Sequence, residues 1–370
     1  MAQQTPRTRG FSLGHVLGAR VIVQTSTLVM LVILALLFSS SGEEGITRQA
    51  FSLGMVLAVS LFVSVFLHEV AHAIAARAFK REVSEIVITL WGGHTSFDSR
   101  NLTPLINGVV SIAGPAANLV IAAVVGVVMN TAGFTGALWS VSSWIVYANL
   151  LLAAFNALPG IPMDGGRALE AVVWGVTNDR HKGTRVAAWA GRVIAVGVLV
   201  VSVALPFLRG NSPSLFTVIW GFVIFSILWP AASAALKTST AQVRMEMMGT
   251  RRLMVPAVAV SHGVTVQEAR ELAERAGAVE VVVLGADGEP AGRFPVALTE
   301  DVPQSERART YLPSVTMPLP RGAEIPADLT GQQFVNHLQQ WWGKTDVWFV
   351  REHGSITGVV HLAQALKELQ

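Results

Sequence analysis

The sequence predicts an α-helical protein that crosses a membrane six times, carries a small membrane-associated β-hairpin, and ends in a smaller soluble α/β domain. Three observations lead there. Of 370 residues, 52% are hydrophobic and only 14% are charged; mean hydropathy is +0.51, which is the balance of a membrane protein. Six apolar stretches, near 21–40, 51–76, 105–130, 138–158, 188–208 and 215–236, are long enough for a hydrocarbon core of about 30 Å. After Lys237 charged and apolar residues alternate, with frequent Pro and Gly. The boundary between a 1–240 domain and a 241–370 domain therefore lies near 237–252.

The elements follow in order. Residues 1–10 are polar and carry Arg7 and Arg9; the apolar run after them lacks a small-residue cleavage site, so it reads as a retained anchor. Lys and Arg collect in alternate loops: Arg77, Lys80 and Arg81 after the second span, Arg167, Arg180, Lys182 and Arg185 after the fourth, and Lys237, Arg244, Arg251 and Arg252 after the sixth. The opposite loops carry only Arg48 and Arg209. The positive-inside rule then puts both termini in the cytoplasm of a multi-pass cell-membrane protein. Between the second and third spans, 83–97 is rich in β-branched residues and contains Gly92-Gly93, which predicts a hairpin too polar to cross the bilayer. Its unpaired edge offers an unfolded segment a place to add as an extra strand.

The chain has no Cys, so thiol catalysis, disulfides and Cys-based zinc sites are excluded; any metal is held by His and carboxylates. The net charge of +3 gives no case for a nucleic-acid partner. Against this background, His68-Glu69-Val70-Ala71-His72 at the end of the second span is the strongest signal. Residues i and i+4 share a helix face, so two imidazoles point at one ion while Glu69 sits beside a water on it. Ionisable residues in a membrane helix cost about 2.5 to 3.5 kcal/mol each, so three in five residues call for a compensating function. A third ligand is needed. Asp164 stands in Asn156-Ala157-Leu158-Pro159-Gly160-Ile161-Pro162-Met163-Asp164-Gly165-Gly166-Arg167, at the cytoplasmic end of the fourth span and at the depth of His68. Two prolines stop the helix there, so Asp164 is expected on a rigid, non-helical segment lining a wet cavity.

These two motifs, in this order and topology, resemble the site-2 protease family of intramembrane zinc metalloproteases, over roughly residues 10–236. The layout with a cytoplasmic tail is most similar to the sporulation-type subgroup. The resemblance implies one zinc ion held by His68, His72 and Asp164, with Glu69 as catalytic base. Gly114-Pro115-Ala116-Ala117-Asn118 resembles a further family feature. Asn118 is then either a catalytic residue that helps hold the oxyanion or part of a helix-packing kink. Gly92, Gly93 and His94 are candidate substrate contacts on the hairpin, His94 being alternatively a metal ligand or a solvated turn residue. Asn156 either orients substrate or caps its helix. The implied substrate is a membrane-anchored protein, of the anti-sigma or sporulation-regulator kind, locally unwound for cleavage.

The tail contains two related halves. The first runs through a helix opening at Thr265, a strand at 279–284, a turn at Asp287-Gly288 and a return at Gly292-Arg293-Phe294; the second through a helix at 331–341 and strands at 347–351 and 356–360. This order resembles a pair of CBS domains, which implies an adenine-nucleotide sensor gating the protease, the alternative being a homodimerising tail. The second half ends without the Ser/Thr-x-x-Asp pattern a nucleotide site usually shows. A competing reading of the whole chain is a CBS-regulated ion or metal transporter. It needs intramembrane ligands but has no special need of Glu69.

Overall fold

The computed structural model describes residues 10–39, 47–89 and 92–369. The chain divides into two compact units, Met1–Ser239 and Thr240–Gln370.

In the first unit a four-stranded sheet precedes and interrupts the helices. Strands β1 (Phe11–Val16) and β2 (Ala19–Val23) form a hairpin; β3 (Val83–Thr89) pairs in parallel with β2, and β4 (Gly92–Phe97) pairs antiparallel with β3. The sheet order is β1-β2-β3-β4, so the expected hairpin is half of a larger sheet in which, among the described residues, β4 is one edge and β1 the other. The N-terminal half of that sheet corrects the first predicted span. Val21, Ile22 and Val23 are β-branched and find Ile86, Val87 and Ile88 as parallel partners. Only α1 (Thr25–Ser39), 15 residues and about 22 Å long, remains helical among the described residues there. Its start is tied to β3 through the Thr27 hydroxyl, which donates to the Ile88 carbonyl at 3.0 Å.

Among the described residues five helices are long and apolar enough to cross a bilayer: α2 (Arg48–Ala78), α3 (Pro104–Thr131), α4 (Gly136–Asn156), α6 (Arg180–Leu208) and α7 (Leu215–Met247). Ala73 and Ala76 of α2 pack against Val21, Val23, Val83, Ile86 and Ile88 of the sheet, and Thr95 of β4 bonds to Glu69, so β4 is held beside the C-terminal third of α2. Between α4 and α6 lies α5 (Asp164–Thr177). Asp164 therefore opens a helix, where a non-helical segment was expected. Pro159 and Pro162 end α4, but no proline follows Asp164, and a carboxylate in a first helical turn is favoured by the unpaired N–H groups there.

The second unit holds one seven-stranded sheet in the order β8-β7-β6-β5-β11-β10-β9. After α8 (Thr250–Leu253), the first half runs β5 (Val255–Ser261), α9 (Val266–Ala276), β6 (Glu280–Leu284), β7 (Pro290–Pro295) and β8 (Met317–Pro318). The second runs β9 (Glu324–Pro326), α10 (Gly331–Gln340), β10 (Val347–Glu352), β11 (Ser355–His361) and α11 (Leu362–Leu369). In each half the strand before the helix pairs in parallel with the strand after it, and that strand forms an antiparallel hairpin with the next. This is the repeat anticipated from sequence. The capping box at Thr265 and Glu268 starts α9, and Gly277 in the left-handed conformation ends it.

Candidate metal centre

His68, Glu69 and His72 are all buried on α2, with 6, 5 and 7% of their surface exposed. The Nε2 atoms of His68 and His72 are 3.1 Å apart. Asp164 Oδ2 lies 3.0 Å from the first and 3.3 Å from the second. These three atoms form a nearly equilateral triangle. Tetrahedral zinc with bonds of 2.0 to 2.1 Å separates its ligands by about 3.3 to 3.4 Å, so the triangle is the face of such a site drawn slightly inward.

Hydrogen bonding on the far side of each ring decides what the triangle is made of. His72 Nδ1 lies 2.7 Å from the Val110 carbonyl, and His68 Nδ1 meets the Asn118 side-chain oxygen. Both partners are acceptors, so in the neutral rings both Nδ1 atoms carry the proton and both Nε2 atoms present lone pairs. Two lone pairs and a carboxylate oxygen facing one another repel unless a cation sits among them. Space is kept for one by Gly114 of α3: a Cβ there would lie 2.4 Å from His72 Nε2 and 2.5 Å from His68 Nε2. The residues fit a divalent metal with an open fourth position.

The third donor is positioned by α6. The Ile161 N–H donates to the Ala187 carbonyl at 3.0 Å, and at Gly191 a Cβ would lie only 2.0 Å from the Ile161 carbonyl oxygen. The loop that ends in Met163, the residue before α5, is thus seated directly on the backbone of α6, which fixes where Asp164 begins its helix.

Glu69 is held by β4. The Thr95 hydroxyl lies 2.8 Å from Glu69 Oε2 and 3.0 Å from the Glu69 carbonyl, and Gly93 runs so close that a Cβ would lie 2.5 Å from Glu69 Cγ. Two cavities meet at this carboxylate. The larger, about 370 Å³, is lined by Val65, Gly92, Phe155, Asn156, Ile224 and Leu228. The smaller, about 170 Å³, is lined by polar groups including His94, Thr95, Ser111 and Arg167. Both share Glu69, Gly93, Pro162 and Asp164. An apolar approach and a wet one therefore converge on the same atoms.

A sequence model of peptidase family M50 matches residues 56–138 and 129–201. "Putative zinc metalloprotease Rip3" of Mycobacterium tuberculosis is 31% identical over 277 residues, covering 72% of this chain and 68% of that protein. The chain belongs to peptidase family M50. It is accordingly a zinc metallopeptidase, and the transporter reading is set aside. Among solved structures, the "Site-2 Protease from Methanocaldococcus jannaschii" is 24% identical, covers 62% of this chain and 95% of its own, and has a TM-score of 0.43. The "CBS domain of the bacterial CNNM/CorC family Mg2+ transporter" is 19% identical, covers 39% of this chain and 91% of its own, and has a TM-score of 0.27.

In this M50 peptidase the sequence-expected residues gather at one place, with differences in detail. His68, Glu69, His72 and Asp164 converge, and Gly92, Gly93 and Asn156 line the larger cavity. Asn156 is the last residue of α4, and among the described residues its side chain makes no hydrogen bond, so it does not act as a cap. His94 is exposed and lines the smaller cavity. Asn118, expected either to help hold the oxyanion or to pack between helices, is hydrogen-bonded on both sides. Its oxygen meets His68 Nδ1 and its amide nitrogen donates to Asn149 Oδ1 at 2.7 Å, so it stands behind a histidine ring, where an oxyanion does not form. Thr95, the Val110 carbonyl and Asn149 were not anticipated. Only Thr95, two positions after Gly93 on the same strand face, left a readable trace.

Proposed function

We propose that this chain is an intramembrane endopeptidase that hydrolyses a peptide bond in or near the membrane-spanning segment of an anchored regulatory protein, with His68, His72 and Asp164 holding zinc and Glu69 as general base. The observation that carries the reading is the triangle of three acceptor atoms at 3.0 to 3.3 Å, opened by Gly114 and bordered by a buried carboxylate.

Bound zinc supplies Lewis acidity and a water acidified toward a pKa of about 7. The Thr95 hydroxyl occupies Glu69 Oε2, which would leave Oε1 to accept a proton and return it to the leaving amide nitrogen. Asn156, with no partner of its own among the described residues, offers an amide to the substrate backbone. Strand β4 is, among the described residues, one edge of its sheet and runs past Glu69, so an unwound substrate segment can pair with it and present its carbonyl to the site. The apolar walls at Phe155, Ile224 and Leu228 suit the flanking residues of a former helix. Glu69→Gln is expected to keep zinc at wild-type stoichiometry while cleavage of a single-span substrate falls by about 10² to 10⁴. Full activity in that variant would remove Glu69 from the mechanism.

The loop charges support cytoplasmic termini in the cell membrane. Because the chain has no Cys, one introduced at position 181 reports sidedness alone: it should react with an impermeant maleimide only after the membrane is opened. For the repeated C-terminal unit we propose control of the protease, either by an adenine nucleotide or by homodimerisation. Titrating ATP or AMP against the full chain separates the two, absence of binding at millimolar nucleotide favouring the dimer.

A further inference from the structure

Both zinc-ligand histidines need the same tautomer, yet they secure it by different means. His72 Nδ1 faces the main-chain carbonyl of Val110, which can only accept. His68 Nδ1 faces a side-chain amide, and an amide turned by half a rotation would offer N–H in place of oxygen. That would favour the His68 tautomer protonated on Nε2, which has no lone pair for a metal. Something must therefore hold Asn118 one way round.

We infer that Asn149 is a positioning residue for the metal site, locking the Asn118 amide so that His68 can bind zinc through Nε2. The inference rests on the metal-site reading above. Asn118 and Asn149 are both fully buried. Asn149 Nδ2 donates to the Ile145 carbonyl at 2.8 Å and to Ser64 Oγ at 2.9 Å, and Ser64 passes its own proton to the Ser60 carbonyl at 2.9 Å. Both Asn149 protons are thus spent on acceptors, two of the chain's fixed points being main-chain carbonyls that cannot reverse. Its oxygen is left facing Asn118, which must answer with Nδ2 at 2.7 Å and so turn its own oxygen to His68. Three helices, α2, α3 and α4, share the relay. Direction runs one way from His68 to Ser60.

The test measures zinc affinity by chelator competition on purified full-length protein, with thermal unfolding of the metal-free form as the folding control. Asn149→Leu, similar in volume and unable to donate or accept, should weaken zinc about 10- to 100-fold, the usual effect of losing an outer partner of a ligand. Adding Asn118→Asp should then restore affinity to within about threefold, because a carboxylate accepts from His68 whichever way it turns. A purely packing role for Asn149 predicts no such rescue, and its absence would overturn the inference, as would wild-type affinity in Asn149→Leu. Should Asn149→Leu fail to fold, Asn149→Asp keeps the acceptor toward Asn118 and should bind zinc within a few fold of wild type; a loss of 10-fold or more there overturns the relay. Wild-type protein that takes up no zinc would overturn the metal-site reading itself, and this inference with it.

Discussion

Replacing Gly114 by Ala separates the metal site from the fold. The added Cβ would stand 2.4 Å from His72 Nε2, 2.5 Å from His68 Nε2 and 2.6 Å from His68 Cε1. Ordinary contact between such atoms is about 3.5 Å, so each ring must retreat by roughly 1 Å. Metal ligands tolerate displacements of about 0.2 Å, so the site fails well before the clash is relieved. The fold should survive, because the atoms met are the far ends of two side chains, and Ala in a helix interior is favoured over Gly by about 0.5 to 1 kcal/mol. The expected result is a metal-free form that unfolds at or slightly above the wild-type temperature, paired with loss of zinc at any concentration that saturates the wild type. Elemental analysis after purification in zinc, with thermal unfolding in detergent, reads both. Stoichiometric zinc at wild-type affinity in Gly114→Ala would refute the placement of α3 against the two rings.

Three further perturbations act on different supports of the same site. Gly93→Ala pushes on Glu69 Cγ and Oε1, at 2.5 and 2.8 Å, without touching a ligand, so turnover should fall at least 10-fold while zinc content stays at one per chain. Gly191→Ala puts a methyl group 2.0 Å from a main-chain oxygen, which cannot swing aside; zinc affinity and thermal stability should drop together, by about 1 to 3 kcal/mol for the latter. Thr95→Val keeps the shape beside Glu69 and removes the hydroxyl that holds its carboxylate in place, so turnover should fall about 10-fold while zinc content stays at one per chain. Wild-type turnover in that variant would detach Thr95 from Glu69.

What was legible in the sequence was whatever has a local spacing. His68 and His72 declare themselves because a helix turns every 3.6 residues, and Asp164 because two prolines and a glycine pair mark its loop. The C-terminal halves repeat recognisable strand and turn signals. Hidden features depend on partners far along the chain. Val21 to Val23 read as part of a membrane span because their strand partner, β3, begins some 60 residues later. Helix α5 was masked by Gly165-Gly166, which looks like a turn until the backbone of residues 157–161, just after α4, is seen to require small residues there. Asn149 is a single amide in an apolar helix, and its meaning comes from Ser64, 85 residues earlier, and from Asn118.

The cost of placing three ionisable residues within one apolar helix is met by a network that leaves very little unassigned. His72 is matched by a main-chain carbonyl and His68 by a relay ending in main-chain carbonyls, while Asp164 Oδ2 faces the two Nε2 lone pairs, an arrangement that a cation among them would satisfy. Each of these groups is fixed in direction, so none is free to act as an acid or base. Glu69 is different. One carboxylate oxygen takes the Thr95 hydroxyl, the other makes no hydrogen bond among the described residues, and the residue lines both cavities. On the proposed mechanism proton transfer falls to Glu69, the carboxylate at which the larger apolar-walled cavity and the smaller polar one meet.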